Sequence, residues 1–230
     1  MTTPQPKDEI LAQVLLAGPV LPVILLDRLE HALPLAEALL EGGIRTLEIT
    51  LRTPVALAAI TAIRQAFPEA LVGAGTVTTP EALRRSAEAG ARFAVSPGLT
   101  RPLLEAAVTS ALPLLPGVMT PAEVMTAVDA GYRFLKLFPA DQAGGVPMLK
   151  ALGGPFRDAS FCPTGGIRLD SAPSYLAQPN VVCVGGSWLT PKTLLNRADW
   201  KAITELARQA ASLAHDGPSH SQGNPSWPSR

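Results

Sequence analysis

Residues 41–54 read EGGIRTLEITLRTP. The pair Gly42-Gly43 after Glu41 is a helix stop, because glycine accepts the left-handed conformation that ends a helix. The run that follows alternates with period two. Leu47, Ile49 and Leu51 share one face, and Thr46, Glu48, Thr50 and Arg52 share the other. Thr53-Pro54 then places a capping hydroxyl before a proline at the first helical position. Helix end, strand and helix start make one period of a βα repeat.

The same punctuation recurs outward from this stretch. Short apolar runs rich in β-branched residues fall at Val20–Leu25, Arg45–Leu51, Leu71–Gly75, Arg92–Ser96, Leu112–Pro116, Arg133–Phe138, Ser160–Thr164 and Val181–Gly185. Amphipathic stretches such as Arg28–Leu40, Thr53–Ala66, Pro80–Ala89, Arg101–Ser110 and Pro121–Ala130 lie between them. Thr79-Pro80 and Thr120-Pro121 repeat the start signal, and Ala89-Gly90 and Ala130-Gly131 the stop. Alternating strands and helices predict a parallel sheet. Eight such units predict an α/β fold closed into a (β/α)8 TIM barrel, a single domain over residues 1–213. The alternative is an open doubly wound sheet, which would want G-x-G-x-x-G after the first strand. The chain runs on instead as Leu26-Asp27-Arg28.

A chain of 230 residues suits one such barrel. Its 19 basic and 19 acidic residues cancel, which argues against general electrostatic binding to nucleic acid or to anionic membranes. Charged residues are 17% of the chain, so each one inside an apolar run is conspicuous. The two cysteines, Cys162 and Cys183, read as buried small hydrophobes in a reduced, cytoplasmic protein. The apolar stretch Ile10–Leu26 is interrupted by Gln13, Gly18, Pro19 and Pro22 and preceded by Lys7, Asp8 and Glu9. It predicts a short helix, a Gly-Pro break and a buried strand, not a membrane span or a signal peptide. Residues 214–230, rich in Gly, Pro and Ser, predict a disordered tail. Two of the three histidines, His215 and His220, fall in it, and His31 follows Glu30 at a helix start. A histidine-based centre is therefore not expected. No His/Cys/Asp cluster has metal-ligand spacing, and neither a metal nor another cofactor is expected.

In barrels of this kind the chemistry sits at the carboxyl ends of the strands. Glu48 and Arg52 share the face of the second strand that points inward. Of the five lysines only Lys136 lies in an apolar strand-like run, on one face with Phe134 and Phe138. Burial disfavours an ammonium ion, and a neutral lysine amine is the nucleophile that forms Schiff bases with carbonyl substrates. Imine formation also needs proton shuttling, which a carboxylate such as Glu48 supplies. The competing reading of these charges is a structural ion pair.

The seventh and eighth strands end in Thr164-Gly165-Gly166 and Gly185-Gly186-Ser187. Glycine pairs let backbone N–H groups approach an anion, and phosphate sites in this fold commonly follow strands seven and eight. Tight turns without a ligand are the alternative. The small residues Gly73-Ala74-Gly75 leave room at the barrel mouth, and Thr76 offers a hydroxyl there. Ser96-Pro97-Gly98 and Pro116-Gly117 are turns first and pocket walls second.

EGGIRTLEITLRTP, VGAGTV, SPGLT, PGVMTPAE, FLKLFPA and FCPTGGI with VGGSW resemble the class I 2-keto-3-deoxy-6-phosphogluconate (KDPG) and 4-hydroxy-2-oxoglutarate (KHG) aldolase family. The likeness spans about Val20 to Pro191. It implies a homotrimer of (β/α)8 barrels that reversibly cleaves a 2-keto-3-deoxy-6-phospho sugar acid to pyruvate and glyceraldehyde 3-phosphate. It implies Lys136 as the Schiff-base residue and Glu48 as the general acid and base. Arg52 and Thr76 would hold the pyruvate carboxylate, Pro97 and Phe138 would wall the pocket, and Thr164 would touch substrate. Gly165, Gly166, Gly186 and Ser187 would bind the phosphate. The resemblance leaves open the 6-phosphogalactonate substrate, epimeric at C4. Two rivals stand outside it: a phosphate-binding barrel isomerase or synthase, and a non-catalytic protein that kept the barrel.

Overall fold

The computed structural model describes residues 6–213. Each apolar run becomes a parallel strand buried on both faces. The strands are β1 (Val20–Ile24), β2 (Thr46–Thr50), β3 (Leu71–Gly75), β4 (Ala94–Val95), β5 (Leu114–Leu115), β6 (Gly117–Val118), β7 (Phe134–Leu137), β8 (Ser160–Pro163) and β9 (Val184–Gly186). The expected fifth strand, Leu112–Pro116, is thus shifted toward the carboxyl end and split at Pro116. Proline has no N–H for a ladder, so the chain there can only accept, and the Pro116 carbonyl takes the Lys136 N–H at 2.8 Å.

The split has a topological effect. β5 is the last member of a six-stranded sheet in the order β5-β4-β3-β2-β1-β9, and β6 begins a three-stranded sheet, β6-β7-β8. The circle closes through Pro116 on one side. On the other it closes through two isolated parallel bridges, Phe161 to Val181 and Thr164 to Gly185. Counting β5 and β6 as one stave gives the expected eight, in the expected order. The tail expected over residues 214–230 lies outside the described residues.

Ten helices occur among the described residues: α1 (Pro6–Leu16), α2 (Ala32–Glu41), α3 (Ala56–Ala66), α4 (Pro80–Glu88), α5 (Arg101–Thr109), α6 (Pro121–Asp129), α7 (Gly145–Gly153), α8 (Ala172–Leu176), α9 (Lys192–Asn196) and α10 (Trp200–Ala211). Thr79 caps α4 by accepting the Ala82 N–H, and Thr120 with Glu123 forms a full capping box on α6. Two expected starts differ. Thr53 does not cap α3; its hydroxyl donates to the Leu26 carbonyl at 2.6 Å, tying the β2 exit to the β1 exit, and the helix begins at Ala56. The stretch from Arg28 opens as a 3-10 turn, Leu29–His31, before α2 proper. None of the described helices is long and apolar enough to cross a membrane.

Burial divides into two layers. Leu47 and Ile49 of β2, Val72 and Ala74 of β3 and Leu135 and Leu137 of β7 pack outward against the helices, as alternation requires. A second cluster fills the barrel itself: Leu21, Phe93, Val95, Leu115, Phe134, Cys162, Val182 and Cys183, joined by Leu11, Val14 and Leu15 of α1. The amino-terminal helix therefore plugs the end opposite the strand carboxyl ends. The Lys7 ammonium fastens it by donating to the Ala107 and Val108 carbonyls at 2.9 and 2.8 Å, the end of α5 where the helix dipole favours a cation.

Candidate active site

The barrel floor is apolar, and the charge begins one layer above it. Glu48 of β2 and Lys136 of β7 come from opposite sheets and meet inside, with Lys136 Nζ 3.6 Å from Glu48 Oε1. Their side chains are 1% and 6% exposed, so water can stabilise neither charge. Neither carboxylate oxygen has a hydrogen-bond partner among the described residues. Burial pushes the Glu48 carboxyl above its ordinary value, and the nearby Lys136 charge only partly offsets this. Burial thus favours the protonated form of the Glu48 carboxyl.

Missing side chains make the room for this pair. Glu48 is in register with Gly73 and Thr50 with Gly75 on β3. A Cβ on Gly73 would meet the Phe93 ring at 2.5 Å, and one on Gly75 would meet Glu48 Oε1 at 2.3 Å. One glycine admits the floor and the next admits the carboxylate. On the far side Lys136 pairs in register with Gly117 and Cys162. The backbone of Pro97 and Gly98 crosses so close to Gly117 that a Cβ there would lie 2.3 Å from the Pro97 carbonyl carbon. Pro97 therefore stands at the mouth beside the lysine strand. The Phe138 ring lies 5.2 Å from Lys136 Nζ, within cation–π range.

Thr76 directly follows Gly75 and has φ 58°. A β-branched residue in the left-handed region is a genuine outlier that costs of order 1–3 kcal/mol, and such strain concentrates at functional sites. Arg52 lies past the end of β2, exposed and without an ion pair among the described residues. With Thr50, Ser187, Thr190, Arg28 and Lys192 it lines a cleft of about 330 Å³ at the mouth. Lys136 and Glu48 are not on its wall, so this conformation brings Arg52 together with Ser187 rather than with the buried pair.

After β8, Thr164 bridges to Gly185, where a Cβ would lie 2.1 Å from the Thr164 hydroxyl oxygen. Gly165 and Gly166 have φ 104° and 78°, so this turn needs glycine. Their N–H groups donate to no group among the described residues. Gly186 differs: the Trp188 indole occupies the space of its missing side chain, 2.1 Å from a would-be Cβ, so packing also accounts for glycine there. Cys162 and Cys183 are buried free thiols, as expected for small hydrophobes. The sequence shows that Gly73 and Gly75 leave room, but not that the Phe93 ring and the Glu48 carboxylate fill it, nor the Thr76 backbone or the Trp188 contact. Each depends on which strands become neighbours.

The family model described as KDPG and KHG aldolase matches residues 11–206. The 2-dehydro-3-deoxy-phosphogluconate aldolase of Dickeya dadantii is 54% identical over 202 residues, spanning 88% of this chain and 95% of the relative. The KHG/KDPG aldolase of Escherichia coli K12 is 52% identical over 201 residues, spanning 87% and 94%. A KDPG aldolase from Legionella pneumophila, solved with pyruvate captured at low pH as a covalent carbinolamine, superposes with TM-score 0.85 at 52% identity and covers 86% of this chain and 97% of its own. A native KDPGal structure superposes less well, with TM-score 0.71 at 28% identity over 84% and 95%.

Proposed function

From a chain that belongs to the KDPG and KHG aldolase family, we infer the following division of labour among its residues. The protein is a class I aldolase, a carbon–carbon lyase acting on 2-keto-3-deoxy-6-phosphogluconate. Lys136 is the nucleophile and Glu48 the proton shuttle. The observation that carries this is their buried contact at 3.6 Å.

The amine of Lys136 attacks the C2 ketone, and the ketone oxygen takes a proton from Glu48. The resulting carbinolamine loses water to give a protonated imine, which withdraws electrons from C3. Glu48, directly or through one water, takes the proton of the C4 hydroxyl. The C3–C4 bond breaks, its electrons pass to the imine, and the aldehyde departs. C3 of the enamine is then protonated, and water releases pyruvate from the lysine. A carboxyl pushed upward by burial holds a proton at the first of these steps and can accept one at the third.

Arg52 and Thr76 bind the pyruvate carboxylate. The guanidinium fork suits a carboxylate, and it swings in from the mouth, where it is free of an ion pair among the described residues. Pro97 and Phe138 wall the pocket, and Thr164 contacts the substrate chain. Gly165, Gly166, Gly186 and Ser187 receive the phosphate; the free N–H groups of the first two support this. We assign the gluconate-type C4 configuration over the galactonate type. The relatives at 52–54% identity are named for the former, and the native KDPGal structure is only 28% identical. 4-Hydroxy-2-oxoglutarate is a second substrate on the same ground.

The protein works as a cytoplasmic homotrimer. Exposed Met125 and Val128, one turn apart on α6, with Met119 just before it, support an assembly face.

The test is borohydride reduction in the presence of pyruvate. A stable mass adduct on Lys136 is expected, and its absence refutes the assigned nucleophile. A lactate dehydrogenase-coupled assay on the two C4 epimers decides the stereochemistry, and sedimentation decides the trimer.

A further inference from the structure

Asp141 stands against the glycine turn after β8. Beyond β7 the chain continues alongside residues 164–166. The Ala140 N–H donates to the Thr164 carbonyl at 2.8 Å and the Asp141 N–H to the Gly165 carbonyl at 3.1 Å. This lays the Asp141 side chain on Gly166, where a Cβ would come within 2.4 Å of Asp141 Cβ and 3.1 Å of Oδ2. Asp141 is exposed and makes no ion pair among the described residues, whereas nearby Arg168 is engaged with Asp170 at 3.2 Å. The Asp141 charge is felt locally, because after burial it is what raises the Tyr175 hydroxyl above its ordinary value.

We propose that Asp141 is a specificity-determining residue that opposes phosphate at this turn and keeps the phosphorylated end of substrate and aldehyde product loosely held. This rests on the reading that Gly165 and Gly166 receive the phosphate. A carboxylate and a phosphate dianion at one exposed turn repel by an amount worth about three- to tenfold in affinity at low ionic strength, and salt screens it. Grip that is equal in the ground and transition states does not speed the chemical step. A weak distal grip leaves the commitment to the imine and lets the aldehyde product leave.

The test compares wild type, Asp141→Asn and Asp141→Glu with inorganic phosphate as competitive inhibitor and with the phosphorylated substrate. In Asp141→Asn the phosphate Ki and the substrate KM fall together, about three- to tenfold at low ionic strength. The difference disappears at high salt, kcat does not rise, and Asp141→Glu keeps wild-type values because it keeps the charge. Borohydride trapping with pyruvate alone is unchanged in all three, since pyruvate does not reach this turn. An unchanged or weaker phosphate Ki in Asp141→Asn overturns the proposal. So does a gain that survives high salt, which would mark packing rather than charge. Failure of wild type to trap pyruvate, or to be inhibited by phosphate, strikes the underlying site reading instead.

Discussion

Lys136 Nζ lies 3.6 Å from Glu48 Oε1 inside the barrel, and the two side chains approach from separately hydrogen-bonded sheets. Breaking a buried pair by removing one partner ordinarily costs about 3–5 kcal/mol, because a charge is left uncompensated. A carboxyl can escape that cost by keeping its proton. Lys136→Met should therefore fold, lose pyruvate release by several orders of magnitude and form no borohydride adduct. Circular dichroism and single-turnover assays on one preparation check both halves.

Glu48→Gln should show how pH acts on the pair. Burial raises the folded-state proton affinity of Glu48 above its value of 4.5 in the open chain. The folded state then binds more protons than the unfolded one between 4.5 and the raised value. The contribution is fully present below pH 4.5 and is lost as pH rises through the folded value. Urea unfolding at stepped pH should show the wild type losing stability relative to Glu48→Gln as pH rises through that window. A gap that widens in the wild type's favour instead would contradict the assigned burial.

The two clearance glycines separate structure from chemistry. Gly73→Ala drives a methyl into the Phe93 ring and should cost about 1–3 kcal/mol in stability while leaving the pyruvate adduct intact. Gly75→Ala drives it into Glu48 and should cut kcat about 100-fold, the scale expected for a displacement of about 1 Å at a reacting group. Thermal melts and turnover on both variants give the comparison. Equal effects on both quantities would refute the layering.

Thr76→Gly should move two quantities in opposite senses. Relief of the left-handed φ should stabilise the fold by about 1 kcal/mol. Loss of the hydroxyl should raise the KM for pyruvate in the condensation direction. A variant that is both less stable and unchanged in KM would remove Thr76 from the site.

The staves and the inward side chains were readable from residues alone, because alternation assigns Glu48 and Lys136 to interior faces whatever their neighbours turn out to be. The turn glycines at 165 and 166 were readable for a similar reason. What escaped depends on contacts between distant segments. The Thr53 hydroxyl carried a good capping signal but found the Leu26 carbonyl first. Gly75 looks like any small strand residue until β2 is laid beside it. The plugging role of α1 needs the barrel to exist before Leu11 and Leu15 have anywhere to go.

The break at Pro116 has a mechanical side. Six strands carry Glu48 and three carry Lys136, and among the described residues the backbone joins the sets through a proline junction, two single bridges and the Gly117 N–H donated to the Ser96 hydroxyl. The spacing between amine and carboxylate is therefore not clamped by a continuous ladder. It rests on the shapes of Leu115, Phe134, Cys162 and Cys183 wedged beneath them. The gap between the two groups is thus set by packing, and a methyl added to or removed from the wedge should retune it.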